Sequence, residues 1–167
     1  MAPPPVASPP NRRWIILIPI LSALALAVVM ICLRAQGGDM ALRIRITRAL
    51  NEGGGEALVM TNLAAFTWDE LVVLGPKSSN DVQSDGGALP FYVRWMVGLS
   101  DRDDICVLAF KVRNRYRGHV VMPRKSGDFL PAVQAGPFTT ETAVFHGTRQ
   151  EGAMLVRPAP PLPGLTR

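Results

Sequence analysis

The chain has 167 residues, 48% of them hydrophobic and 19% charged, and its formal net charge is +5. A chain of this length is typical of one domain rather than two. Two cysteines, Cys32 and Cys106, are too few for a disulfide framework. Arg12, Arg13 and Arg34 flank an apolar segment. Without these three, 15 basic and 13 acidic residues remain, a charge of +2 that argues against nucleic-acid binding.

The N-terminal part of the chain predicts a tail followed by a membrane segment. Residues 1–13 are proline-rich and predict a disordered tail. Residues 14–33 carry no charge, and 20 helical residues span about 30 Å, the thickness of a bilayer core. A cleaved signal peptide is the alternative, but its apolar region would be shorter and would precede a small-x-small site. We therefore predict one N-terminal transmembrane helix over residues 14–33.

The basic residues around this segment bear on its orientation. Arg12 and Arg13 precede the helix, which favours a cytoplasmic N-terminus and an extracytoplasmic C-terminal domain. Arginines at 34, 43, 45 and 48 weaken the signal. The predicted location is the inner or plasma membrane, with a single pass.

Residues 39–157 predict a small folded domain that begins with a helix. Asp39 is a good N-cap, and Gly53 to Gly55 is a good stop, so we favour a helix from Asp39 to Leu50. Alternation of Leu42, Ile44 and Ile46 with arginines leaves a strand as the alternative.

Several short strands follow. Strands are predicted at Phe66 to Leu74, Asp104 to Arg113, His119 to Met122, Thr142 to His146 and Ala153 to Val156. The second and third form a hairpin around a turn at 114–118. Two short helical pieces are also predicted, one capped by Ser79 over Asn80 to Gln83 and one over Pro90 to Leu99. The second carries Phe91, Tyr92, Trp95 and Met96 and is expected to pack on the sheet.

The fold class is therefore predicted as α+β: one N-terminal transmembrane helix followed by a small antiparallel sheet with one or two packing helices. Residues 158–167 are again proline-rich and predict a disordered tail.

A set of residues recurs in an order that is similar to a known group. The set is Phe66-x-Trp68-Asp69-x-Leu71-x-Val73-x-Gly75-Pro76, then Val107 to Phe110, Val120-Val121-x-Pro123-Arg124 and Gly127-Asp128-Phe129. It resembles small, uncharacterised bacterial envelope proteins that are anchored by a lipid or a single helix. Such proteins often have an aromatic residue after the Gly-Pro pair, where this chain has Lys77. The resemblance implies architecture and an envelope location, and it implies no chemistry.

The strongest local feature is a basic run without any acid between Ile105 and Gly127. In an extended chain, Lys111, Arg113 and Arg115 would share one face. The functional interpretation is a site for an anionic lipid, a cell-wall polymer or another envelope protein. A solvated hairpin tip is the alternative. The candidate residues are Lys111, Arg113, Arg115, Arg117, Arg124 and Lys125.

Other residues that carry chemistry point to structural roles. Trp68 is expected in the core, and Asp69 is expected to bond a nearby backbone amide. His119 and His146 lack the spacing of a zinc site, so no metal or other cofactor is predicted. Cys106, within an apolar run, is expected to be a small buried hydrophobic residue.

These observations favour a non-catalytic binding or accessory module of the envelope. The alternative is an envelope hydrolase that uses Cys106 or a histidine, since catalytic triads assemble in space rather than in sequence. A third hypothesis makes the apolar segment itself the working part, because Ser22, Ala23, Ala25 and Ala27 are small residues at near-helical spacing.

Overall fold

The computed structural model describes residues 12–53, 56–76 and 89–159, and its side chains are described from residue 17 onward except at 34–36. The chain divides into two compact units, Met1–Leu33 and Arg34–Arg167. The helices are α1 (Arg12–Gly37), α2 (Met40–Glu52), α3 (Met60–Leu63), α4 (Phe91–Val97) and α5 (Leu130–Val133), with a 3-10 helix at Arg124–Ser126. The strands are β1 (Ala57–Val59), β2 (Glu70–Leu74), β3 (Ile105–Val112), β4 (Arg115–Pro123), β5 (Phe138–Thr139), β6 (Val144–Gln150) and β7 (Ala153–Pro158).

Helix α1 corrects the predicted transmembrane helix. None of the helices in the described ranges is both long and apolar enough to cross a membrane, so that element of the predicted fold is wrong. The orientation of the chain stays a prediction.

Helix α2 confirms the helical interpretation of its segment over the strand alternative. The Asp39 carboxylate accepts a hydrogen bond from the Leu42 amide at 2.9 Å, which satisfies one of the free N–H groups of the first turn. Leu42, Ile46 and Leu50 form the buried stripe, at the spacing of one helical face. Ile44, which belonged to the strand pattern, is exposed.

The junction before α2 depends on a glycine. Gly38 has a φ of +64° and forms an isolated bridge with Val120 at the open edge of β4. A Cβ at this position would collide with the backbone carbonyl of His119, which also accepts a hydrogen bond from the Asp39 amide at 2.8 Å. Only glycine combines this backbone conformation with so close an approach.

The larger sheet has four antiparallel strands in the order β4-β3-β2-β5. Strand β3 is central and buried over its whole apolar run, whereas β4 is an edge strand. The predicted hairpin between β3 and β4 is confirmed, with a tighter turn than expected, because β4 begins at Arg115 rather than His119. The predicted strand from Phe66 is shorter and begins at Glu70.

A second antiparallel sheet, β1-β6-β7, corrects the prediction of a single small sheet. Strands β6 and β7 correspond to the two C-terminal strands predicted, and they join through a two-residue turn at Glu151 and Gly152, both with positive φ. Strand β1 was not predicted because its three residues are too few to show a period.

Two apolar clusters lie on opposite faces of the larger sheet. The main cluster packs α2 and the second sheet against one face, and includes Phe110, Met122, Phe129 and Phe145. The smaller cluster packs α4 against the other face through Val93 and Val97. The expectation that α4 packs on the sheet is confirmed. The side of α4 that packs on the sheet carries Val93 and Val97, whereas Phe91 and Trp95 point outward.

Some predictions fall outside the described residues. They are the short helix over Asn80 to Gln83 and most of the two disordered tails. Four tail residues are described: Arg12 and Arg13 lie in α1, Pro158 ends β7, and Ala159 follows it.

Candidate functional site

The turn between β3 and β4 brings three of the candidate arginines, Arg113, Arg115 and Arg117, to one end of the larger sheet. Its two central residues, Arg113 and Asn114, have φ values of +50° and +59°, which is the geometry of a type I′ hairpin turn. The Asp69 carboxylate accepts a hydrogen bond from the Arg113 amide at 2.6 Å and so holds the turn against β2. Asp69 therefore bonds a backbone amide, as the sequence predicted, and Trp68 is buried.

Arg113, Arg115 and Arg117 are exposed around this turn, and together with Asn114 they form what we call the hairpin tip. Arg117 is the extra residue of a bulge between the pairs Lys111–Tyr116 and Phe110–Gly118. Across the described residues, no carboxylate lies within ion-pair distance of these three guanidinium groups. Three arginines less the Asp69 carboxylate leave a local charge of +2.

Lys111 is not available to a ligand. Its side chain is 3% exposed, and its Nζ lies 2.7 Å from a carboxylate oxygen of Glu70 on the neighbouring strand. Glu70 of β2 and Lys111 of β3 are directly opposite each other in register, so their ion pair joins the two strands. The expectation that Lys111 shares one face with Arg113 and Arg115 is wrong. Lys111 pairs with Tyr116 on the α4 side of the sheet, whereas Arg115 pairs with Val112, which packs on the other side.

Arg124 and Lys125 lie apart from the hairpin tip, at the other end of β4. Arg124 donates two hydrogen bonds to one Asp128 oxygen, at 3.1 and 2.8 Å, and a third to the Asp103 carbonyl. The hydrogen bonds to Asp128 hold the pKa of Arg124 above its usual value. Its charge is therefore compensated within the fold. Lys125 is exposed and stands near Asp104.

Asp128 explains why the Gly127-Asp128-Phe129 motif is structural. Its second oxygen accepts a hydrogen bond from the Leu130 amide, and its backbone pairs with β7 through Met154 and Val156. Phe129 is fully buried, and a Cβ on Gly127 would lie 2.6 Å from Leu50. The motif therefore joins the 3-10 helix, α5 and β7.

The groups proposed for hydrolase chemistry are poorly placed for it. Cys106 is fully buried, as expected, and its pKa is raised to about 11, chiefly by burial and then by Asp128. A thiol with this pKa is neutral at pH 7, whereas a nucleophilic cysteine needs a lowered pKa.

The two histidines lie in different surroundings. His119 is buried, with its Nδ1 2.7 Å from the Tyr116 hydroxyl, and His146 is exposed. No group of three metal-binding side chains occurs within the described ranges.

One exposed surface was not predicted from the sequence. On α4, Phe91 is 83% exposed, Trp95 is 76% exposed and Tyr92 is 52% exposed. We call these three residues the aromatic face. The sequence could have indicated this surface, because α4 carries two apolar pairs at a spacing of four residues, Phe91 with Trp95 and Val93 with Val97. Only one of the two stripes fits against the sheet.

Comparisons of this chain with models of protein families, with curated proteins and with solved structures find no match.

Proposed function

We propose that this chain is a non-catalytic accessory protein of the bacterial envelope, attached to a membrane through α1, whose hairpin tip binds anionic groups. The exposed cluster of Arg113, Arg115 and Arg117 is the observation that carries the proposal. An envelope setting agrees with the resemblance of the Phe66 to Phe129 motifs.

The surface of α1 supports attachment to lipid. Eleven large hydrophobic side chains between Leu17 and Leu33 are each about half exposed or more, and they include the consecutive run Val28 to Ile31. Consecutive residues point in all directions around a helix, so α1 is apolar on every side. Apolar surface costs roughly 25 cal/mol for each Å² left in water, which favours contact with an apolar phase. The proposal concerns attachment to lipid, not a crossing of the bilayer.

The hairpin tip supports an anionic partner. Lys111 and Arg124 are neutralised by carboxylates within the fold, whereas none of the carboxylates in the described ranges lies within ion-pair distance of the three tip arginines. Guanidinium groups bind phosphate and carboxylate oxygens through paired N–H donors, and an exposed cluster of them attracts anions over about one Debye length. Anionic lipid head groups, a cell-wall polymer and an acidic envelope protein share this chemistry, and we test the lipid first.

Vesicle flotation of full-length variants separates the two parts of the proposal. Leu21→Asp with Leu24→Asp places two charges on α1 and should abolish binding to neutral phosphatidylcholine vesicles, since each charge costs several kcal/mol in hydrocarbon. The same variant should still float with vesicles that contain phosphatidylglycerol. Adding Arg113→Glu, Arg115→Glu and Arg117→Glu should remove that remaining binding.

The matched control reverses the same number of charges elsewhere. Arg48, Arg149 and Arg157 are exposed on α2, β6 and β7. Changing these three to glutamate in the α1 variant should weaken binding much less than the tip changes do. Equal losses from both triple variants would show that net charge, and not the hairpin tip, controls binding. Unchanged binding of the α1 variant to neutral vesicles would remove α1 from the account.

A further inference from the structure

The aromatic face of α4 is an unusual surface for a helix of seven residues. Successive residues turn by about 100°, so Phe91, Trp95 and Tyr92 form one continuous stripe opposite the buried Val93 and Val97. Single exposed apolar residues are ordinary, whereas contiguous aromatic surface marks a site of contact with another apolar phase. The aromatic face is not needed for packing, because the two valines already close the smaller apolar cluster.

Tyr116 of β4 links the hairpin tip to the aromatic face of α4. Tyr116, between Arg115 and Arg117 in the chain, packs against the cluster that contains Val93 and Val97 of α4. The pKa of Tyr116 is raised to about 12, first by burial and then by the Tyr92 phenol, so the two phenols are neighbours. The part of β4 that carries Arg115 and Arg117 therefore runs close to Tyr92 at one end of the aromatic face.

Exposed aromatic rings near a cluster of arginines that has no ion-pair partner among the described residues match the chemistry of a lipid head-group region. Tryptophan and tyrosine concentrate there because one side of the ring is apolar and the other carries a hydrogen-bond donor. Arginines near the surface of an anionic leaflet gain from the phosphates, and each added cation contributes a similar amount. Exposed aromatic residues would also suit an interface with another protein. The three arginines of the tip, which no described carboxylate pairs, and the apolar surface of α1 favour lipid instead.

We propose that the aromatic face and the hairpin tip form one surface that lies against an anionic bilayer, with the rings of Phe91 and Trp95 among the head groups and the arginines of the tip on lipid phosphates. This inference rests on the proposed function and names the partner of the same tip. It adds α4 as a second contact, which the basic run alone does not suggest.

Site-specific photo-crosslinking of the full-length chain tests this contact. Trp95 is replaced by p-benzoylphenylalanine, and the chain is bound to vesicles that contain phosphatidylglycerol. Ile44, exposed on α2, carries the same label as the control position. After irradiation, mass spectrometry should find a lipid adduct at position 95 and little at position 44. The yield at position 95 should fall at least about tenfold on neutral phosphatidylcholine vesicles, or when Arg113, Arg115 and Arg117 are changed to glutamate.

The outcomes separate this inference from the proposed function. A chain that sediments with vesicles but gives no lipid adduct at position 95 overturns only the inference. Crosslinking of position 95 to a second copy or to another protein in native membranes also overturns it, and would make the aromatic face a protein interface. Equal lipid adducts at positions 95 and 44 would show a non-specific approach to the bilayer. A chain that binds no vesicle overturns both.

Discussion

Asp128 offers a sharp test of how the fold is held together. Its side chain is 10% exposed, and its carboxylate accepts two hydrogen bonds from Arg124 and one from the Leu130 amide at 3.0 Å. Asp128→Ala removes all three at once, together with the long hydrogen bond from the Cys106 thiol at 3.9 Å. We expect this change to destabilise the domain more than any exposed charge substitution does.

The expected magnitude follows from what each partner loses. The Leu130 amide would lie in a partly buried site without its acceptor, which costs about 1–2 kcal/mol. Arg124 would lose a charged partner, but its side chain is 35% exposed and can reach water, so we assign this loss about 1–2 kcal/mol. The sum is about 3 kcal/mol. Asp128→Asn keeps an acceptor for the amide, so we expect about half of that loss.

Urea unfolding of the full-length chain in mild detergent, followed by circular dichroism, measures the effect. With a slope of about 2 kcal/mol per molar urea, Asp128→Ala should lower the midpoint by about 1.5 M. The control, Asp104→Asn, breaks an exposed ion pair, in which the side chain of Arg102 is 48% exposed and that of Asp104 is 61% exposed. It should leave the midpoint nearly unchanged. If Asp128→Ala changes the midpoint no more than this control, then Asp128 does not join the elements as described.

Three further predictions concern single positions. Gly38→Ala should lower the free energy of unfolding by about 2 kcal/mol or more, because Gly38 has a positive φ and an added Cβ would collide with a backbone carbonyl. Gly118→Ala, whose Cβ would meet open space, should not lower it, and thermal melts compare the two variants. Asp69→Ala should cost about 1 kcal/mol and speed hydrogen exchange of the Arg113 amide, and unchanged exchange would contradict the turn contact. Cys106 should resist maleimide in the native protein and react after denaturation, as read by peptide mass spectrometry. Because folding raises its pKa from 9.0 to about 11, the stability that this thiol contributes should be complete below pH 9 and be lost as the pH rises towards 11, a slope that Cys106→Ala should remove.

Local signals in the sequence predicted the elements that they control directly. Asp39 marks the start of α2 because its carboxylate can cap the helix with no help from the rest of the chain. The apolar run of β3 predicts a buried strand for the same reason. The α+β class follows from such elements, whereas the pairing of strands into two sheets does not, because β1 and β5 have only three and two residues.

The candidate site was harder to predict because long-range pairing decides it. Lys111 looks like part of a basic run, and only its register against Glu70, 41 residues earlier, shows that its charge is neutralised. The face of α4 was ambiguous because both of its stripes are apolar. The small, branched Val93 and Val97 fit the sheet surface of Val72 and other short side chains, and the larger rings are left outside.

The fluorescence of Trp95 in vesicles tests the central claim most directly. The full-length chain with Trp14→Phe and Trp68→Phe leaves Trp95 as the single tryptophan. In vesicles that contain phosphatidylglycerol and brominated lipids, we predict strong quenching that falls when Arg113, Arg115 and Arg117 are changed to glutamate, and that stays when Arg48, Arg149 and Arg157 are changed instead. A membrane-bound chain in which brominated lipids leave the emission of Trp95 unquenched would contradict the account.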